Sequence, residues 1–71
     1  MSIRSFTQHN QKQALKVLQC AADGLNVRRT ATQLNYTEHA VKLYRRMAIT
    51  IFDASDITQA VAEALRRGYI K

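Results

Sequence analysis

Three side chains that can donate hydrogen bonds, His39, Lys42 and Arg46, follow one another at spacings of three and four residues. At about 100° per residue, this spacing places all three within a narrow arc of an α-helix. Lysine and arginine donate to guanine O6 and N7 or to phosphates, histidine can do either, and the neighbouring Leu43 can contact a thymine methyl group. A helix face of this kind is typical of major-groove recognition.

A helix near residues 38–52 is expected to position these side chains. Its apolar residues collect on the opposite side, where a folded domain would bury them. They are Val41, Tyr44, Ala48, Ile51 and Phe52. Thr37 is a suitable N-cap, and Glu38 follows it at the positive end of the helix dipole. We interpret Tyr44 as an aromatic residue at the core edge, with base stacking as the alternative.

The remainder of the chain predicts three further helices, near residues 8–23, 27–34 and 56–67. No proline interrupts them, and both glycines follow segments of helical periodicity, where a left-handed residue commonly ends a helix. No strand-like alternation extends over more than a few residues. We therefore expect an all-α fold with four helices in one domain over residues 1–71.

Each of these three helices has an apolar side that we expect to face a common core. The first contributes Ala14, Leu15, Val17, Leu18, Ala21 and Ala22, the second Ala31 and Leu34, and the fourth Ile57, Ala60, Val61, Ala64 and Leu65. Asn26 is the expected N-cap of the second helix. Tyr69 and Ile70 are expected to fold back over the core after Gly68. Residues 35–37 form a tight corner, which predicts a helix-turn-helix.

Composition favours a polyanionic partner. Eleven Lys and Arg against five Asp and Glu give a formal net charge of +6, and nucleic acid is the leading candidate. Arg28 and Arg29, in the first turn of the second helix, are candidates for phosphate contact, with a solvated pair as the alternative. Lys12 and Lys16 are interpreted as part of a solvated side of the first helix, with DNA contact as the alternative.

Several kinds of site are not expected. Cys20 is the only cysteine, so we expect no internal disulfide and no cysteine-based zinc site, and we interpret it as a small residue at the edge of the apolar side. His9 and His39 lack acidic or cysteine neighbours at ligand spacing, so neither a metal nor a cofactor is expected. No glycine-rich phosphate loop and no nucleophile with a base is present, so we expect no enzyme activity.

Residues 1–5 include no long apolar segment, and no run of about eighteen apolar residues occurs anywhere. We therefore expect neither a signal peptide nor a membrane span, and a cytoplasmic location.

The ordered elements resemble the DNA-binding domain of LuxR- and GerE-type bacterial transcription regulators. Spacings agree without a gap from residue 17 to residue 70. The residues that carry the resemblance are Val17 and Leu18; Ala22, Asp23 and Gly24; Ala31 and Leu34; Thr37, Val41 and Lys42; Ala60 and Val61; and Leu65, Arg66, Arg67, Gly68, Tyr69 and Ile70.

The resemblance implies a tetrahelical unit whose third helix enters the major groove and whose fourth helix mediates dimerisation. Together with the residue types, it gives a DNA-binding set comprising Arg28, Arg29, Thr37, His39, Lys42, Leu43, Arg45 and Arg46. The expected dimer contacts are Ile57, Val61, Ala62 and Leu65.

Some positions depart from the family pattern. Ala40 stands where a threonine is common, Tyr44 where a histidine is common, and Thr30 where a buried aliphatic residue is usual. The start of the first helix also lacks the usual threonine and paired glutamates. We therefore expect a divergent, stand-alone member of bacterial or phage origin.

These observations leave two functions open. The first is a sequence-specific, double-stranded DNA-binding transcription regulator, acting as a homodimer on an inverted repeat, with another regulator or RNA polymerase as a further partner. The alternative, motivated by Ala40 and Tyr44, is an interaction protein of the same fold that inhibits or adapts another regulator by pairing with it. Binding to a membrane surface is disfavoured, because the apolar sides of all four helices are needed for the core.

Overall fold

The computed structural model describes residues 8–71, and every regular element in that range is a helix. The four helices are α1 (Gln8–Ala22), α2 (Val27–Leu34), α3 (Glu38–Ile51) and α4 (Ile57–Arg66). The all-α, four-helix prediction is confirmed, and each predicted helix end is correct to within one residue. A start of the first helix at Thr7 and the expectation for residues 1–5 lie outside the described residues.

Side-chain caps explain where three of the helices begin. In each case a side-chain oxygen accepts a hydrogen bond from the backbone amide three residues later, which would otherwise lack a partner. The bonds join Asn26 Oδ1 to Arg29 N (2.8 Å), Thr37 Oγ1 to Ala40 N (3.0 Å) and Asp56 Oδ1 to Gln59 N (2.8 Å). The predicted caps of α2 and α3 are confirmed, whereas Asp56, predicted within α4, is its N-cap.

Every helix ends with a residue in the left-handed region. These residues are Gly24, Asn35, Asp53 and Gly68, with φ of 88°, 59°, 50° and 78°. In each case the next amide donates to the carbonyl five residues earlier, at 2.9 to 3.0 Å, which is the Schellman arrangement that closes a helix. The sequence predicted both glycines at helix ends and a corner at residues 35–37, but did not indicate Asp53.

The core consists of two clusters that meet at α3. The larger cluster joins α1, α3, α4 and the C-terminal segment through Ala14, Leu18, Ala48, Phe52, Ala60, Ala64 and Ile70. The smaller cluster joins α1, α2 and α3 through Val17, Ala31 and Val41. The third helix, α3, packs against all three other helices. These contacts fix its orientation, and the face of α3 on the side away from them remains uncovered.

Two predicted positions are corrected. Leu65 is 45% exposed, because it lies about 100° around α4 from the fully buried Ala64 and therefore outside the packed side. Cys20 is buried instead of lying at an edge, because the side of α1 that carries Cys20 and Val17 packs against α2. Of the predicted C-terminal cap, Ile70 is buried, and Tyr69, although exposed, packs its ring edge-on against the buried Phe52 with centroids 5.6 Å apart.

Candidate nucleic-acid interface

The uncovered face of α3 presents His39, Lys42 and Arg46, all of which are exposed. Leu43 lies beside them and is 41% exposed, while Val41 and Ala48 on the opposite side of the helix are fully buried. The structure therefore brings these four predicted site residues together on one surface. We call His39, Lys42 and Arg46 the α3 face.

The cations of the α3 face form no ion pair with the described residues. Within the described part of the chain, the ion pairs join Glu63 to Arg66 at 2.6 Å and to Arg67 at 3.1 Å, and neither includes Lys42 or Arg46. Glu38, in the first turn of α3, is the acidic residue closest to the face along the helix. An incoming anion would therefore meet available donors without displacing an existing ion pair.

A shallow groove of about 160 Å³ adjoins the α3 face. It is lined by Leu43, Arg46, Met47 and Thr50. The Thr50 hydroxyl donates to the Arg46 carbonyl at 3.2 Å. Met47 and Thr50 are additional residues of this surface; each lies four residues after a predicted contact and therefore adjoins it on the helix surface. The surface thus combines apolar area with a guanidinium group.

Arg28 and Arg29 are exposed on the first turn of α2. They line a second groove together with Leu25, Asn26, Thr32 and Gln33. Backbone amides in the first turn of a helix lack intrahelical partners and carry its positive dipole end. This location has the character expected for a phosphate contact. Thr37 is also exposed, and its hydroxyl oxygen is engaged as the N-cap of α3.

Arg45 is separated from the other predicted contacts. It is half-buried and lines a different groove, between the end of α1, the start of α2 and the α4 residues Ile57 and Val61. It lies about 100° around the helix from Arg46, and no other charged residue lines this groove. The structure therefore does not bring Arg45 onto the α3 face.

The four predicted dimer contacts divide into two pairs. Ile57 and Val61 are half-buried and pack against the larger core cluster. Ala62 and Leu65 are exposed on the outer side of α4. A partner subunit could therefore reach Ala62 and Leu65 without disturbing the core.

Aromatic side chains support α3 where it begins. The rings of Tyr36 and Tyr44 lie 5.7 Å apart, centroid to centroid, and both residues pack against the smaller cluster. The core-edge interpretation of Tyr44 is confirmed. Burial raises the pKa of Tyr36 above its usual value, and the neighbouring Tyr44 and Cys20 raise it further. This phenol is a packing group that stays neutral at ordinary pH.

Behind this region, α1 and α2 meet at Cys20 and Thr30. Burial raises the pKa of the Cys20 thiol, the Asp23 carboxylate raises it further, and the nearby Thr30 hydroxyl partly offsets both effects. Thr30 is fully buried, and its hydroxyl oxygen makes no hydrogen bond of ordinary geometry. This polar atom therefore occupies an apolar site without full compensation.

No protein-family model matches the chain, and neither a curated protein nor a solved structure is significantly similar to it. The resemblance to LuxR- and GerE-type domains therefore stays a prediction. Over residues 8–71, no group of three or more His, Cys, Asp or Glu side chains could hold a metal ion. In the same range, no helix is long and apolar enough to cross a membrane.

Proposed function

We propose that this chain is a sequence-specific, double-stranded DNA-binding transcription regulator that reads the major groove with the α3 face. The observation that carries the proposal is the grouping of His39, Lys42 and Arg46 on one exposed surface without an ion-pair partner among the described residues. The packed helix behind this surface would hold the donors in a fixed arrangement, and the resemblance to LuxR- and GerE-type domains supports the same role.

The proposal includes a supporting set of contacts. Arg28 and Arg29 would bind phosphates at the start of α2, where charge and backbone amides act together. Ala62 and Leu65, exposed on α4, would contribute to a homodimer that binds an inverted repeat. RNA polymerase or another regulator is a further partner in this scheme. The regulator would act in the bacterial cytoplasm, at the nucleoid when bound, without enzyme activity, cofactor or membrane attachment.

The direct test is alanine substitution on the α3 face. Lys42→Ala and Arg46→Ala should each weaken specific binding by about 1 to 3 kcal/mol where the side chain reads a base, and by a smaller, sequence-independent amount where it contacts phosphate. Arg66→Ala is the matched control, because Arg66 is an exposed cation of α4. Unchanged affinity in both α3 variants would reject the assignment.

Selection of bound fragments from a random DNA library supplies the probe for that test and examines symmetry. An inverted repeat in the selected fragments would support the dimer. Measured on a selected fragment, the logarithm of the binding constant should fall by roughly 0.9 per phosphate contact for each tenfold rise in salt. A complex that salt does not weaken would contradict the phosphate contacts.

The alternative is an interaction protein that pairs with another regulator. One observation favours it: Tyr44, where the family commonly has a histidine that approaches DNA, packs instead against the smaller cluster. A pull-down from host extract, run beside a mobility shift with genomic fragments, separates the two functions. A stoichiometric regulator partner without DNA retention would support the alternative.

A further inference from the structure

The first helix repeats the pattern of the α3 face. His9, Lys12 and Lys16 have the same spacings as His39, Lys42 and Arg46: a histidine, a lysine three residues later and a second cation four residues after that. His9, Lys12 and Lys16, which we call the α1 face, are all exposed. Two helices of the fold therefore present equivalent rows of one histidine and two cations.

The two faces point away from each other. On α1, Lys12 and Lys16 lie opposite Ala14 and Leu18, which belong to the larger cluster. On α3, the cations lie opposite Ala48 of the same cluster. Since α1 and α3 pack against each other through that cluster, each exposed row faces away from the shared core, on the outer side of its own helix.

The α1 face is also open to an anion. Neither Lys12 nor Lys16 forms an ion pair with any residue of the described chain. The acidic residue on the same side of α1 is Asp23, seven positions beyond Lys16 and therefore about 10 Å farther along the axis. Its carboxylate accepts a hydrogen bond from Gln19 Nε2 at 3.2 Å. The lysines are thus available to an external polyanion.

The dimensions of the domain allow both faces to be occupied at once. The described fold measures 29 × 23 × 19 Å along its principal axes. Even the smallest of these extents is more than twice the Debye length of about 8 Å at physiological ionic strength. Two DNA duplexes on opposite sides would therefore be kept far enough apart for salt to screen most of their mutual repulsion.

We propose that the α1 face binds the phosphate backbone of a second DNA duplex, so that one copy of the chain bridges two DNA segments. This inference rests on the proposed function of the α3 face. The position on α1 that corresponds to Leu43 is Gln13, which is half-buried, so the α1 face offers charge without an apolar contact for a base. Binding there should not depend on base sequence.

A capture assay tests the inference. A duplex from the random-library selection is tethered to beads for the α3 face, and a second, fluorescent duplex of unrelated sequence is added with or without the wild-type chain. Wild type should retain the fluorescent duplex. Lys12→Gln combined with Lys16→Gln should reduce retention by about tenfold or more, while affinity for a single duplex in a mobility shift changes by less than about threefold.

Two controls make the assay specific. Arg66→Gln with Lys71→Gln removes the same charge from other exposed positions and should retain the second duplex. Lys12→Arg with Lys16→Arg keeps the charge and should also retain it. Unchanged retention in the Lys12→Gln, Lys16→Gln variant would overturn the inference in favour of bridging by a dimer. A wild-type chain that binds one duplex but retains no second would overturn it too, whereas failure to bind any duplex would overturn the proposed function.

Discussion

Charged and polar side chains at the C-terminal end of the molecule bind one another, whereas the cations on the surface of α2 and α3, which we call the α2–α3 side, do not form ion pairs within the part of the chain that the structure describes. At the C-terminal end, Glu63 binds both Arg66 and Arg67, and the Arg67 guanidinium lies 5.7 Å from the centre of the Phe52 ring. The Gln19 side chain accepts from the Lys71 amide at 2.9 Å and donates to the Lys71 carbonyl at 3.2 Å.

On the α2–α3 side, Lys42, Arg46, Arg28 and Arg29 form no ion pair with the described residues, and the buried Thr30 hydroxyl lacks a good partner. Groups that are paired internally help to hold the fold, whereas exposed groups left unpaired remain available to a partner. Net charge alone therefore does not locate an interface: Arg66 and Arg67 are paired within the described fold, whereas Lys42, Arg46, Arg28 and Arg29 are not.

The largest expected effect is a loss of stability caused by a substitution in the core, which supports both regions. Leu18→Ala should lower the free energy of unfolding by about 2 to 5 kcal/mol, because the residue is fully buried and its truncation leaves a cavity. Chemical denaturation monitored by circular dichroism measures the change. Leu43→Ala is the control, because Leu43 is 41% exposed; measured without DNA, it should lower the free energy of unfolding clearly less than Leu18→Ala does. Equal losses in the two variants would contradict the packing described for α1 and α3.

Thr30→Val should stabilise the fold where α1 and α2 meet. Replacing a buried hydroxyl that lacks a good partner by a methyl group of similar size should raise the free energy of unfolding by about 1 kcal/mol. Thermal unfolding reports the change. Affinity for DNA should be preserved, since the side chain points inward. A destabilised variant would show that the hydroxyl is satisfied in solution.

Glu63→Gln breaks the pairing at the C-terminal end. Both ion pairs are partly exposed to solvent, so the loss of stability should be only about 0.2 to 1 kcal/mol and should diminish at high salt. Denaturation at two salt concentrations measures it. A loss several times larger would mean that Glu63 does more than pair with the two arginines.

The smallest expected effect appears at alkaline pH. The pKa of Cys20 is raised above 9.0 and that of Tyr36 above 10.0, in both cases chiefly by burial. Unfolded chains ionise these groups first, so the free energy of unfolding should fall as the pH rises above about 9. Cys20→Ala should remove part of that dependence, which denaturation at a series of pH values would show. The same slope in both proteins would contradict the burial of the thiol.

Local signals made the helices predictable. Asn26 and Thr37 act as caps through their own side chains, and both glycines adopt the left-handed conformation that they tolerate best. Asp53 was missed because aspartate adopts the left-handed conformation less readily than glycine does. An aspartate in the sequence is therefore a weaker indicator of a helix end. Helix boundaries therefore follow mainly from residues close to them in the chain.

The burial of residues at helix edges was less predictable, because it depends on how the neighbouring helices pack. Arg45 lies beside the α3 face in sequence but in a groove against α1 and α4 in space. Cys20 is buried because α2 covers its side of α1, and Leu65 is exposed because α4 packs through its alanines. A helical wheel gives the angle of each side chain but not which angles a neighbouring helix covers.

The most direct measurement is a backbone NMR titration of the wild-type chain with a duplex taken from the random-library selection. The amide signals of the α3 face and of Leu43 should shift most, with smaller shifts at Arg28 and Arg29. Those of Glu63 and Arg66 should stay in place. Shifts concentrated at the C-terminal end with the α3 face unperturbed would contradict the proposal that unpaired cations mark the DNA interface.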